Sequence, residues 1–219
     1  MNGGGHVSIA CSQALVPWFL PRQIARYRSQ HPGVTFSVNV RDRARAEQEL
    51  ADYASDIALV FEPVYLVDFQ VIVSIPQQVC AVMSADHPLA SRHELRLRDC
   101  LAVPHIAPSS TYGVRHLLDY GARRGAQQVS PVVETESFEL IRNYVLQENV
   151  IGFQIPIGLS PVDDPRLVLR PISQRDLPMG NLILGQMRGR TLPVASAKFA
   201  MQLAAALETE DAHKRSGAG

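Results

Sequence analysis

Apolar positions along the chain switch repeatedly between the period of a strand and the period of a helix. Val7–Cys11 is a short apolar run, and Ser12-Gln13 leads from it into a helical segment ending near Gln30. That segment carries Val16, Leu20, Ile24 and Tyr27 along one helical face. Pro17 and Pro21 place its regular part late, because proline is tolerated only in a first turn. His31-Pro32-Gly33 ends it. Thr35–Val40 then sets Phe36, Val38 and Val40 against polar residues, a period-two strand with one buried face. Arg43–Tyr53 puts Ala46, Leu50 and Tyr53 on one helical face, and Asp56–Phe61 reads as a strand buried on both sides.

This β-α-β-α-β rhythm predicts a parallel sheet covered by helices. Val71–Ile75 and Val79–Met83 follow as strands with no helix between them, and the rhythm then restarts. His105–Ala107 precedes a helix from Gly113 with Val114, Leu117, Leu118 and Gly121 inward. Pro131–Glu134 precedes a helix with Leu140, Ile141, Tyr144 and Val145 inward, and Val150–Ile155 is the next buried strand. Leu167–Ile172 and Leu182–Met187 read as strands, Val194–Leu207 as a last helix, and Glu208–Gly219 as a loose polar tail. The pattern gives an α/β fold of two Rossmann-like lobes: residues 1–76 with 181–219, interrupted by 77–180. Two crossover segments join them, which predicts a hinge and a ligand cleft at the carboxyl ends of parallel strands.

Composition narrows the function. The 219 residues are 46% hydrophobic and 19% charged, the profile of a globular chain and not of a disordered one. Lys plus Arg and Asp plus Glu both number 21, so the chain lacks the basic excess that counterion release from nucleic acid requires. Nothing calls for an anionic membrane, no apolar stretch would span one, and the first residues carry no export signal, so the expected location is cytoplasmic. Cys11, Cys80 and Cys100 match no zinc or redox spacing and fit free thiols in a reducing compartment.

Candidate chemistry gathers at turns after strands. Ser12-Gln13 offers a helix cap or, with free backbone N–H groups beside it, a place for an anion. Ser109-Ser110-Thr111-Tyr112 opens the helix at Gly113 with more hydroxyls than one cap uses. Two helix N-termini facing one cleft would each favour negative charge by roughly 0.3–1 kcal/mol, which makes a small organic anion the default ligand. Glu62 and Glu136 lie near the expected cleft mouth; inward-pointing, they would select hydroxyls or an amine on that ligand. For Glu136 the plainer reading is a helix N-terminus capped by Thr135 or Ser137. Arg43 is either a counter-charge or a solvated surface arginine, and Gln154 either satisfies backbone groups or faces the ligand. Cys11 is either a reactive thiol or a buried structural one.

Catalytic signals are thin. Gly-x-Ser-x-Gly, Gly-x-x-x-x-Gly-Lys and Gly-x-Gly-x-x-Gly are all missing from the sequence, and His87, His93 and His105 are too widely spaced for a helical metal pair. The expectation is a binding module, without catalytic residues, cofactor or metal.

Several segments, in order, resemble the effector-binding (regulatory) domain of LysR-type transcriptional regulators over about residues 6–207. They are Leu20-Pro21 with His31-Pro32-Gly33-Val34, Asp56-Ile57-Ala58-Leu59-Val60, Asp86-His87-Pro88-Leu89-Ala90, Ile155-Pro156, and Arg190-Thr191-Leu192-Pro193 followed by Ala195, Ala197 and Phe199. The resemblance implies a type II periplasmic-binding-protein-like fold with effector contacts at the Ser12 turn. It also implies an antiparallel homodimer pairing the helix near 17–30 of one protomer with that near 137–147 of its partner, and a tetramer when the regulator is full length. DNA would be met only through an N-terminal winged helix-turn-helix that this sequence does not include. Glu148-Asn149-Val150-Ile151-Gly152 departs from the family's usual glycine pair, which reshapes one wall of the expected cleft. An excised regulatory domain and a stand-alone cytosolic solute-binding module of the same fold both fit the sequence.

Overall fold

The computed structural model describes residues 4–62, 65–158 and 164–216. The chain runs through β1 (His6–Cys11), α1 (Phe19–Gln30), β2 (Thr35–Val40), α2 (Arg43–Ala51), β3 (Ile57–Phe61) and β4 (Phe69–Gln77). It continues with β5 (Cys80–Ser84), α3 (Leu97–Leu101), β6 (Ile106–Pro108), α4 (Gly113–Arg124), β7 (Val133–Thr135), α5 (Phe138–Tyr144), β8 (Gly152–Gln154) and β9 (Leu167–Pro171), then β10 (Gly180–Met187) and α6 (Val194–Ser216). Two compact units result: Met1–Pro76 with Asn181–Gly219, and Gln77–Gly180.

The first unit is built on a five-stranded sheet of order β2-β1-β3-β10-β4. β1 runs parallel to β2 and β3, with Ile9 opposite both Val38 and Ile57, while β10 pairs antiparallel with β3. All five residues of β3 are buried, as its unbroken apolar run requires of a strand flanked on both sides. β2 differs from the sequence reading. Val38 and Val40 are exposed, because β2 is the edge strand and only half-buried Phe36 reaches the core.

Helices α1 and α6 hold that core through Tyr27, Phe36 and Phe199, whose ring centroids lie 4.9–5.9 Å apart in edge-to-face contacts. Tyr27 keeps its hydroxyl satisfied by donating to the Ala195 carbonyl at 3.2 Å. Asp56, at the start of β3, ties four segments together. Its carboxylate accepts from Ser8 N at 3.2 Å, Ser196 Oγ at 2.7 Å and the Arg190 guanidinium at 2.7 Å. The polar segment expected to be a loose tail is helical through Ser216, and residues 217–219 lie outside the described residues.

The second unit contains an antiparallel sheet, β8-β5-β9, and a parallel pair, β6-β7. A parallel bridge between His105 and Ile151 joins the two. Phe153, Met83, Leu95, Leu97 and Ile106 fill its interior. α5 is set by its cap: Ser137 Oγ accepts from Leu140 N, so Phe138, Ile141 and Val145 face inward. That rotation puts Leu140 outside, 44% exposed, and leaves Tyr144 half-buried, whereas the sequence pattern placed both inward.

His87 adds a pH dependence to this unit. Its Nδ1 accepts from Leu89 N at 3.1 Å and caps the turn Pro88–Ser91. Burial holds the ring below its ordinary value of 6.5. The unfolded chain therefore takes up a proton that the native ring refuses, and the stability present above pH 6.5 falls as pH drops toward the lower native value. Asparagine keeps a capping acceptor without the titration. The expected result is a smaller drop in melting temperature from about pH 7 to pH 5 for His87→Asn than for the parent chain; parallel curves would assign the pH response elsewhere.

Among the described residues, no helix is long and apolar enough to cross a membrane, and no group of three or more His, Cys, Asp and Glu side chains could hold a metal ion.

Candidate functional site

Parallel strands gather chemistry at their carboxyl ends, because each chain emerging there must turn and expose backbone groups before the next element begins. In the first unit, Ser12 and Gln13 follow β1, Arg43 opens α2 just beyond β2, and Glu62 follows β3. In the second, Ser109, Ser110, Thr111 and Tyr112 follow β6, Glu136 follows β7, and Gln154 is the last residue of β8.

The first-unit residues are held as follows. Ser12 is buried, and its backbone N donates to Leu59 O at 2.9 Å, anchoring the turn to β3. Its side chain makes no capping hydrogen bond, which corrects the cap reading. The reason is local: a single 3₁₀ turn, Gln13–Leu15, intervenes, and α1 begins only after Trp18. Arg43 is neither a solvated arginine nor an unengaged counter-charge. It pairs with Glu47 one turn along α2, and its guanidinium lies 4.5 Å from the Tyr65 ring centroid. Glu47 also accepts from Tyr65 N at 2.5 Å and Leu66 N at 2.8 Å. Glu62 accepts from both the backbone and the side-chain nitrogen of Asn181 and so joins the ends of β3 and β10.

The second-unit residues form one connected cluster. Ser109 N donates to Thr135 O at 3.0 Å, and Ser109 Oγ lies 3.0 Å from Thr111 Oγ1. Tyr112 donates to the Glu136 carbonyl at 3.2 Å and packs its ring against Phe138, centroids 5.1 Å apart. Gln154 is buried and donates to Phe138 O at 3.4 Å. Thr135 Oγ1 accepts from Ser137 N at 3.0 Å, and Ser137 caps α5, so both hydroxyls flanking exposed Glu136 are engaged in the turn as the plainer reading had it. Ser110 and Thr111 are exposed.

Three further side chains belong to these frames and escaped the sequence reading. Asn181 answers Glu62 from 119 positions away, beyond any local pattern. Glu47 was legible as the fourth residue after Arg43. Gln77 is buried where β4 ends and accepts from Ile157 N at 3.4 Å. Cys11 is a structural thiol: burial raises its pKa to about 12, and its Sγ–H donates to Ser12 O at 3.3 Å. Cys100, also buried, is likewise pushed up to about 12.

An α/β fold of two units with turn chemistry at the strand ends is the architecture of effector-binding domains. Comparison with known proteins agrees. The profile of the LysR substrate binding domain family matches residues 2–208, and the chain belongs to that family. Among curated relatives, a probable nitrogen assimilation transcriptional activator of Synechococcus elongatus is 24% identical over 170 residues, covering 76% of this chain and 55% of that protein. The chain spans about half the length of the curated relatives it matches. The effector binding domain of QuiR in complex with shikimate superposes with a TM-score of 0.80 at 17% identity, covering 94% of this chain and 99% of that one. The Synechocystis PCC6803 CcmR regulatory domain in complex with 2-PG gives 0.79 at 20% identity, covering 93% and 97%. These neighbours share the type II periplasmic-binding-protein-like fold, and the curated relatives are transcription regulators.

Proposed function

We propose that this chain is the ligand-sensing part of a LysR-type transcriptional regulator and binds a small organic anion through residues of both units. The observation that carries this reading is topological: every candidate polar residue but Gln154, which ends the antiparallel strand β8, lies at the carboxyl end of a strand in a parallel pairing, in each unit separately. Ser12 in the first unit and Ser109–Tyr112 in the second are the residues assigned to the anion. Glu136 and Gln154 border the second set, whereas Arg43 and Glu62 shape their turns through Glu47 and Asn181. The chain performs no catalysis in this reading and needs no cofactor. It acts in the cytoplasm, with DNA contacts left to a winged helix-turn-helix elsewhere in the regulator.

The ligand works by shifting an equilibrium between packings of a homodimer, and of a tetramer in the full-length regulator, by its difference in affinity for the two arrangements. Exposed Leu140 on α5 supports such packing. A thermal-shift screen of organic acids, amino acids and aromatic carboxylates tests the assignment. At about a hundred times its dissociation constant a true ligand adds roughly 2.7 kcal/mol of stability. That gain is expected to disappear in Ser12→Ala combined with Thr111→Ala. Persistence of the full shift in the double variant would move the site elsewhere, and a ligand that leaves sedimentation of the parent unchanged would remove the packing mechanism.

A further inference from the structure

At the opposite end of α4 from the Ser109–Tyr112 turn lies a second feature, contained wholly in the second unit. A cavity of about 460 Å³ is lined by Arg96, Arg98, Arg124 and Arg175, with Gln127 and a single carboxylate, Asp176. Its volume falls in the range of small-molecule pockets, roughly 300–1,000 Å³. The twelve residues of α4 put it about 18 Å from the turn that the effector reading uses.

The lone carboxylate is already engaged. Asp176 grips the Arg96 guanidinium through two hydrogen bonds, both 2.8 Å, and accepts from Leu97 N at 2.8 Å; these donors hold its carboxyl below the usual carboxylate range. Arg96 is thereby fixed in orientation. The other three guanidiniums have no comparable partner among the described residues. Arg98 reaches a carboxylate only at 3.9 Å, on Asp99, which Arg92 holds at 2.7 Å. Arg124 lies over the Tyr120 ring at 5.6 Å, and no ion pair engages Arg175. Elsewhere Arg41, Arg43, Arg115, Arg166 and Arg190 each hold a carboxylate at 3.1 Å or closer. Other arginines, Arg22, Arg26, Arg142 and Arg188 among them, also hold no carboxylate among the described residues. What sets this site apart is that four guanidiniums line one cavity with a single carboxylate.

Arginines near the end of a helix often do no more than offset its dipole. That accounts for Arg124 and for Arg98, which sits in the last turn of α3, but not for Arg96 and Arg175, which stand outside both helices. At this end of α4 the carbonyls of Gly121, Ala122 and Arg123 accept from the backbone of Gly125, Ala126 and Gln127. Arg123 and Arg124 in the last turn offset the negative pole that would otherwise oppose an anion. The walls are also firmly set. A Cβ on Gly121 would stand 2.3 Å from Leu177 Cδ2 and 2.7 Å from Asp176 O, so α4 and the 173–177 turn meet almost backbone to backbone.

We propose that this arginine pocket is a second, independent binding site for a compact multivalent anion, a phosphorylated or polycarboxylated metabolite. Guanidinium forks recognise both anions bidentately, and several forks around one concavity select more than one negative group. Two probes separate the two sources. Calorimetric titration of the 219-residue chain at about 0.15 M salt uses inorganic pyrophosphate and citrate, with acetate as the monovalent control.

The expected result is one-site binding of pyrophosphate or citrate, at least about tenfold tighter than acetate and weakened at least about tenfold in Arg124→Gln combined with Arg175→Gln. Both arginines are exposed, so the variant is expected to melt like the parent. Ser12→Ala with Thr111→Ala is expected to leave this binding unchanged, which separates the proposal from the effector reading. Failure of both probes to bind, affinity no better than acetate, or indifference to the arginine variant would overturn it. So would a loss confined to the Ser12 and Thr111 variant.

Discussion

Phe199→Ala is expected to destabilise the first unit by about 3–5 kcal/mol, the range for removing a fully buried aromatic ring. Phe199 is completely inaccessible and meets Tyr27 and Phe36 edge-to-face, so truncation empties the contact between α6 and the sheet and deletes two ring pairs. Each such pair adds about 0.5–1.5 kcal/mol beyond the buried area. Its neighbours are poorly placed to refill the space. Tyr27 is tethered through its hydroxyl to Ala195 O, and Phe36 is fixed by β2 pairing with β1. Denaturant unfolding, followed by a probe in the first unit, should show a lower midpoint with an unchanged slope. A loss under about 1 kcal/mol would mean that α6 is not seated as the structure has it.

Asp56→Ala is expected to cost about 3 kcal/mol, the lower end for breaking a buried ion pair, since Arg190 retains some exposure. The damage comes less from a lost attraction than from groups left behind. Arg190 loses its carboxylate, Ser196 Oγ loses its acceptor, and Ser8 N loses a side-chain partner. The pair is separable from a simple packing effect by a double-mutant cycle. Arg190→Ala in the Asp56→Ala background removes the orphaned cation and should cost much less than Arg190→Ala alone. Additive losses would show that the two side chains act independently.

The fold class was legible because its signal is periodic. Short unbroken runs such as Ile57–Phe61 fit buried strands, their length arguing against a buried helix, and alternation of such runs with helical stripes points to an α/β fold. Periodicity does not say which strand ends the sheet. The alternation of Phe36, Val38 and Val40 is real, yet it lies on an edge strand, so two of its three apolar residues meet solvent. Leu140 failed for a related reason: in a helix of seven residues, the cap at Ser137 sets the rotation more firmly than the apolar count does.

Polar partners were legible only when local. The Arg43–Glu47 pair is a helical i,i+4 spacing, whereas Glu62–Asn181 and Arg96–Asp176 join residues 119 and 80 positions apart. The arginine pocket was invisible for the same reason, since its guanidiniums come from positions 96, 98, 124 and 175 and assemble only when α3, α4 and the 173–177 turn pack together.

The place of β10 between β3 and β4 has a consequence for synthesis on the ribosome. β4 emerges early but has no strand to pair with until residues 180–187 are made, after all of Gln77–Gly180. At about 5–20 residues per second the wait is roughly 5–20 s. For that interval β3 and β4 offer unpaired edges, including the buried-to-be run Ile57–Phe61, and only at its end does the inserted unit have all the residues of its own core. A nascent chain stalled just before residue 180 should therefore be the stage most dependent on chaperones.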